Sequence, residues 1–165
     1  ATAGDSWLGG DDLDIALASA AANAFWQQHK VELRHQATAW QQLLVAAEAA
    51  QRALSHLEET VLVFSDGTGR GPITYPVSRR SFAELIRGIV DRSLETCQEA
   101  LKQKGLRPTD LSAVYLSGGT SYVPAVHDAV ASFFGQEPRT VLPPERMVVV
   151  GAAVHGALTA PPAAQ

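Results

Sequence analysis

The sequence predicts a mixed α/β chain, in which a helical unit carrying a β-hairpin is followed by a stretch alternating helix with short strand. Three observations predict it. Long stretches place apolar residues at helical spacing. Two β-branched runs, Thr60–Phe64 and Ile73–Val77, flank a glycine-rich segment at 65–71. A third β-rich run, Ala113–Leu116, feeds Ser117, Gly118, Gly119, Thr120, Ser121, Tyr122, Val123 and Pro124. Strand, glycine turn and helix start in that order let the backbone approach a ligand and offer unpaired N–H groups to an anion such as phosphate. The same pattern also serves simply to turn a strand into a helix. The units divide at 1–77 and 78–160, leaving a tail at 161–165.

The first ten residues are turn-like, with Gly9 and Gly10 directly before an acidic cluster. Asp11 can cap a helix, and Asp12 and Asp14 suit the positive end of its dipole. Capping is the simpler reading of these aspartates, and metal or phosphate work is the alternative. Leu13, Leu17, Ala20, Ala24 and Phe25 carry the first helix to about Lys30. A second helix covers about Thr38–Leu57, with a stripe of Leu43, Ala47, Ala50, Leu54 and Leu57. Glu48, Gln51, Arg52 and Ser55 share another face, because offsets of three, four and seven residues return to one side. That face reads equally as solvated, with Glu48–Arg52 an ordinary i,i+4 ion pair.

The two β runs around 65–71 predict a hairpin with a flexible tip, and Pro76 suits an edge position. No GK[ST] follows the tip's glycines, so it is not a P-loop. Ser78 can cap a third helix containing Phe82, Leu85, Ile86, Ile89, Val90, Leu94, Cys97 and Leu101, ended by Gly105 and Pro108. Residues 114–116 read as a strand, Pro124–Phe134 as a helix stopped by Gly135, and Thr140–Leu142 as one more short strand. Pro143, Pro144 and Glu145 open a final helix through Met147, Val150, Val154 and Leu158.

At 165 residues the chain can bury a substantial core, and 46% of it is hydrophobic. No apolar run nears the roughly 18 residues of a membrane span, and the start lacks the pattern of a signal peptide. The first residue is Ala1 and the one methionine is Met147, which points to a fragment of a longer chain. A net charge of −4 without a block of lysine or arginine argues against a nucleic-acid binder. One cysteine, Cys97, excludes an internal disulfide and suggests a reducing compartment; its apolar surroundings make it a buried thiol rather than a nucleophile. The expected location is cytoplasmic. The five histidines show no HExxH spacing, and neither GxSxG nor GxGxxG occurs, so the chain displays no self-contained catalytic constellation.

Six segments taken together carry a resemblance. They are Gly4–Asp14, Glu48–Ser55, Ser81–Leu85, Ser117–Pro124, Phe133–Gly135 and Gly151–Val154. In order and spacing they resemble the nucleotide-binding domain of the seventy-kilodalton heat-shock chaperones, the DnaK family. The match covers the second lobe of that actin-like ATPase domain: the small helical and hairpin subdomain at the top, then the later half of the larger subdomain beneath.

The resemblance implies an adenine-nucleoside clamp for ATP or ADP. Glu48, Gln51, Arg52 and Ser55 match the helix face that holds adenine and ribose, and Gly118, Gly119, Thr120 and Tyr122 match the opposing turn. Gly10 and Glu145 match residues beside the nucleotide. Gln51 stands where the family has lysine, Tyr122 where an arginine stacks on the base, and Glu145 where it has aspartate. The phosphate hairpins, metal-associated aspartates and catalytic lysine belong to the first lobe. Magnesium and hydrolysis are therefore expected only in an intact parent, and no catalytic residue or metal ligand is assigned here. The implied partners of that parent are nucleotide exchange factors, J-domain cochaperones and unfolded clients, with neither nucleic acid nor membrane. A non-enzymatic interaction or regulatory module on the same scaffold is the second reading, and a small-molecule kinase of the superfamily the third.

Overall fold

The computed structural model describes residues 1–65 and 71–159. The hairpin tip at 66–70 and the tail from 160 onward lie outside the described residues. Helix α1 spans Gly10–His29 and α2 spans Ala37–Leu54, joined through a short 3-10 turn at Leu33–His35. The N-cap of α1 is Gly9 rather than Asp11. Asp12 accepts the Gly9 N–H at 2.7 Å, so a carboxylate one turn into the helix reaches back to satisfy a backbone donor. Lys30 closes α1 in the left-handed conformation (φ 58°), with its N–H donating to the Trp26 carbonyl at 2.8 Å. Its ammonium lies 4.6 Å from the Trp26 ring centroid, a cation–π contact that offsets part of the backbone strain.

Strands β1 (Glu59–Phe64) and β2 (Ile73–Ser78) form an antiparallel hairpin in the register Glu59↔Ser78 to Phe64↔Ile73. Leu62, Phe64 and Val77 turn inward, while Val61 and Val63 stay exposed. Pro76 sits exposed opposite Val61; because Arg79 N–H donates to the Glu58 carbonyl, hydrogen-bonded pairs fall on alternate residues and Pro76 takes a position between them, where its missing N–H costs no ladder bond.

Helix α3 (Arg79–Lys102) is capped as its sequence predicts: the Ser78 hydroxyl accepts from Ser81 N–H at 3.1 Å. Ser81 Oγ in turn accepts from Ser78 N–H at 3.1 Å, a reciprocal box that satisfies two otherwise orphaned donors. With 24 residues it is long enough, at about 36 Å, to take part in two cores. Its first half brings Phe82, Ile86 and Val90 to a core with Leu13, Leu17, Leu43, Leu54 and Leu62. Its last turn brings Leu101 to a smaller cluster with Val114, Val130 and Phe134. Cys97 packs on the edge of that second cluster, half-buried, and burial raises its thiol pKa above the ordinary value.

Helix α4 spans Pro124–Phe134, opened by a proline at its first position and closed by Gly135 at φ 65°. Helix α5 spans Pro144–Thr159. Its residues from 151 to 159 are all exposed, including Val154 and Leu158. Among the described residues no helix is long and apolar enough to cross a membrane.

Three further expectations differ from the structure. Residues 114–116 form no strand; Tyr115 makes a single parallel bridge to Arg139, with Arg139 N–H donating to the Val114 carbonyl at 2.7 Å. Residues 140–142 are likewise not a strand, and Val141 is exposed. β-propensity measures fit to a pleated, half-buried surface, and among the described residues no neighbouring strands supply one here. Finally, α2 stops at Leu54, three residues short of the expected end, which leaves Leu57 in the turn before β1 and half exposed.

Candidate functional site

A cleft of about 500 Å³ opens where the start of α1, the last turns of α2, the turn after Gly118 and the start of α5 converge. Helical spacing brings the first two walls to it. Gly10, Asp11 and Asp14 lie on one face of α1, at offsets of one and four residues. Glu48, Gln51, Arg52 and Ser55 form the cleft-facing side of α2, opposite the stripe that packs into the core.

The third wall is built by backbone. Gly118 has φ 89° and ψ 162°, a conformation that side chains with a Cβ strongly resist, and it opens a 3-10 turn over Gly119–Tyr122. This turn lies between the glycine pair and α4, which begins at Pro124 as the sequence predicts. Gly118 N–H donates to the Pro144 carbonyl at 2.9 Å, and the Ser117 hydroxyl reaches the same oxygen at 3.3 Å. The Tyr122 hydroxyl donates to Glu145 at 2.8 Å. Together these bonds fasten the turn to the first residues of α5. The Glu145 carboxyl is held below its ordinary range by a backbone hydrogen bond and by Tyr122, whose own hydroxyl is pushed up by that same bond.

The α1 wall and the turn meet closely. A Cβ on Gly10 would lie 3.0 Å from Thr120 Oγ1, tighter than side-chain carbons ordinarily approach, so a glycine at this position lets the two segments touch.

Of the ten site residues expected from the sequence, nine border this one cleft: Gly10, Glu48, Gln51, Arg52 and Ser55, with Gly119, Thr120, Tyr122 and Glu145. Gly118 does not line it and instead sets the turn that does. The Glu48–Arg52 pair forms at 2.5 Å with Arg52 largely open to solvent, so it is both an ordinary helix-surface ion pair and part of the cleft wall. Gln51 is the one buried polar side chain among the described residues, 9% exposed.

Sequence reasoning missed Asp11, Asp14, His56 and Val123 as lining residues. Asp14 is the most informative of them. Its Oδ1 is buried without a hydrogen-bond partner. Burial first, then the charges of Glu48 and Asp11, push its pKa from the ordinary 3.8 up to about 6, with Arg52 opposing. The available signal was its position four residues after Gly10, on the same helical face.

Ionising Asp14 therefore costs more in the folded chain than in the unfolded one. That cost is absent below about pH 4, grows as pH rises and is complete above about pH 6. A shift of this size corresponds to about 3 kcal/mol, which we reduce to about 1 kcal/mol because the side chain is half open to screening solvent. Asp14→Asn is accordingly expected to stabilise the chain by about 1 kcal/mol at pH 7.5 and by nothing at pH 4. Urea unfolding at the two pH values checks this; equal effects at both would show that ionisation is not the cause.

Among the described residues no group of three His, Cys, Asp or Glu side chains is placed to hold a metal ion. The cleft has the size and the mix of apolar walls with a few converging polar groups that small-molecule sites have in general, with a glycine turn closing one side. The family model described as Hsp70 protein matches residues 1–164, nearly the whole chain. The chain belongs to the Hsp70 family of heat-shock chaperones.

Proposed function

We propose that this chain is the second lobe of an Hsp70-family ATPase domain and that its cleft binds the adenine nucleotides ATP and ADP. The observation that carries the reading is convergence: three segments far apart in sequence, around residues 10, 48–55 and 118–122, together with Glu145, contribute to one cleft. The family membership supports the class of ligand, and the chemistry of the walls suits it. Arg52 and Tyr122 offer flat groups to a purine face, and Glu48, Gln51 and Ser55 offer acceptors and donors to base edges and sugar.

In this reading residues 1–77 are the upper helical and hairpin subdomain and 78–160 the later half of the larger one. The lobe contributes nucleoside binding and no catalytic group, while phosphate and magnesium are handled by the partner lobe of a cytoplasmic, ATP-driven protein-folding machine. Exchange factors, J-domain cochaperones and unfolded clients are the partners proposed for that machine. A second reading, a regulatory module without turnover, is favoured by Gln51 and Tyr122, which put neutral groups where the family carries cations.

Titration of ADP into the isotope-labelled chain, followed by amide NMR shifts, tests the proposal. Saturable shifts centred on 48–55 and 118–122 are expected. No shift at high ADP would overturn nucleotide binding by this chain and favour the second reading.

A further inference from the structure

Tyr122 stands between two hollows. It borders the cleft described above and also a neighbouring cavity of about 670 Å³, whose walls include Leu116, Pro124, Val141, Leu142 and Pro144. Packing alone does not choose between them, because the side chain is 45% exposed and a tyrosine has several rotamers to occupy. Left to itself, the ring would gain more by turning toward the aliphatic walls of the second cavity than by lining a polar cleft.

The choice falls to its hydroxyl, which donates to Glu145 at 2.8 Å; among the described residues that carboxylate is its one partner. Glu145 is itself well placed to hold it. It is the second residue of α5, where the unpaired N–H groups of a helix start favour a negative charge. The same end of α5 grips the backbone of the turn, since Gly118 N–H and the Ser117 hydroxyl both donate to the Pro144 carbonyl. The tyrosine is thus fixed at both ends, through its main chain by the turn and through its hydroxyl by the helix. Direct contact with a base would use Glu145 poorly. An ionised carboxylate only accepts, and the face of an aromatic ring is itself negative.

We propose that Glu145 is a positioning residue, which does not touch the nucleotide but holds the Tyr122 ring on the cleft side, turned away from the neighbouring apolar cavity and ready to lie against a purine. The inference rests on the adenine-site reading and gives one of its expected contacts a different role. It also makes the stacking face depend on the first turn of α5, some twenty residues further along the chain. A ring already ordered before the ligand arrives loses less freedom on binding, and that difference appears as affinity.

The experiment uses the full 165-residue chain as wild type, Glu145→Ala, Glu145→Gln, Tyr122→Phe and the double variant Tyr122→Phe with Glu145→Ala. In the free chain, nuclear Overhauser contacts from the Tyr122 ring to the Val141 and Leu142 methyls are expected to strengthen in Glu145→Ala. They are expected to stay as in the wild type in Glu145→Gln, whose amide oxygen still accepts. In ADP titrations Glu145→Ala and Tyr122→Phe are each expected to weaken binding by about fivefold, the cost of ordering a freed ring. The double variant is expected to match Tyr122→Phe, because two changes to one interaction do not add. A Tyr122 ring unmoved in free Glu145→Ala would overturn the positioning role. So would a double variant weaker than Tyr122→Phe by about another fivefold, which would show that Glu145 touches the ligand itself. Absence of ADP binding by the wild-type chain would overturn the adenine reading, and the ring contacts of the free chain would still decide whether Glu145 holds Tyr122.

Discussion

Phe82→Ala is expected to destabilise the chain by about 3–5 kcal/mol, enough to unfold much of it if its stability is typical of a domain this size. Phe82 is 2% exposed and lies one turn into α3, where it enters the same core as Leu13, Leu17, Leu43 and Leu62. Truncation loses the transfer free energy of the ring. It also leaves a cavity that two helices and a hairpin cannot all collapse to fill, because each is held by its own hydrogen bonds. Urea denaturation followed by circular dichroism measures it. A loss under about 1 kcal/mol would mean that this core is looser than its burial indicates. Leu57→Ala, at a half-exposed position beside the hairpin, is the natural comparison and is expected to cost little.

Arg52→Ala is expected to weaken adenosine and ADP alike, by about tenfold, with little effect on folding. The side chain is 78% exposed, so few packing contacts are lost. What the variant removes is a planar cation at the cleft wall and the partner of Glu48. Glu48 then stands beside Asp14 without a counter-charge, which makes the wall more acidic. Arg52→Lys keeps the charge but not the flat guanidinium, and is expected to recover only part of the affinity. The same amide-shift titration reads both variants. Unchanged affinity in Arg52→Ala would remove the adenine clamp from consideration and leave the regulatory reading.

Local structure was legible wherever its causes are local. The stripe through Leu43, Ala47, Ala50 and Leu54 identifies α2, Ser78 the start of α3, and Pro124 and Gly135 the two ends of α4; each signal acts within a turn or two of chain. The runs at 114–116 and 140–142 were misleading for the converse reason. Their residues favour a strand, but a strand exists only through partners, and among the described residues one bridge between Tyr115 and Arg139 is all that forms.

The cleft divides along the same line. Its α2 wall is present in the sequence as a spacing of three, four and seven residues, although that spacing alone equally describes a solvated face. Asp14 shows the limit most clearly. As a residue near a helix N-terminus it reads as dipole compensation, yet its raised pKa comes from burial and from Glu48, thirty-four positions away on another helix. By itself, then, the sequence determined the helices, the hairpin, the caps of α3 and α4 and the family, because these depend on neighbours in the chain or on the order of motifs along it. Only the tertiary structure decided that nine of the expected residues meet in one cleft, that Gly10 touches Thr120, and that a carboxylate is left unpartnered there. Desolvation and charge coupling depend on distance in space, which no spacing along the chain encodes.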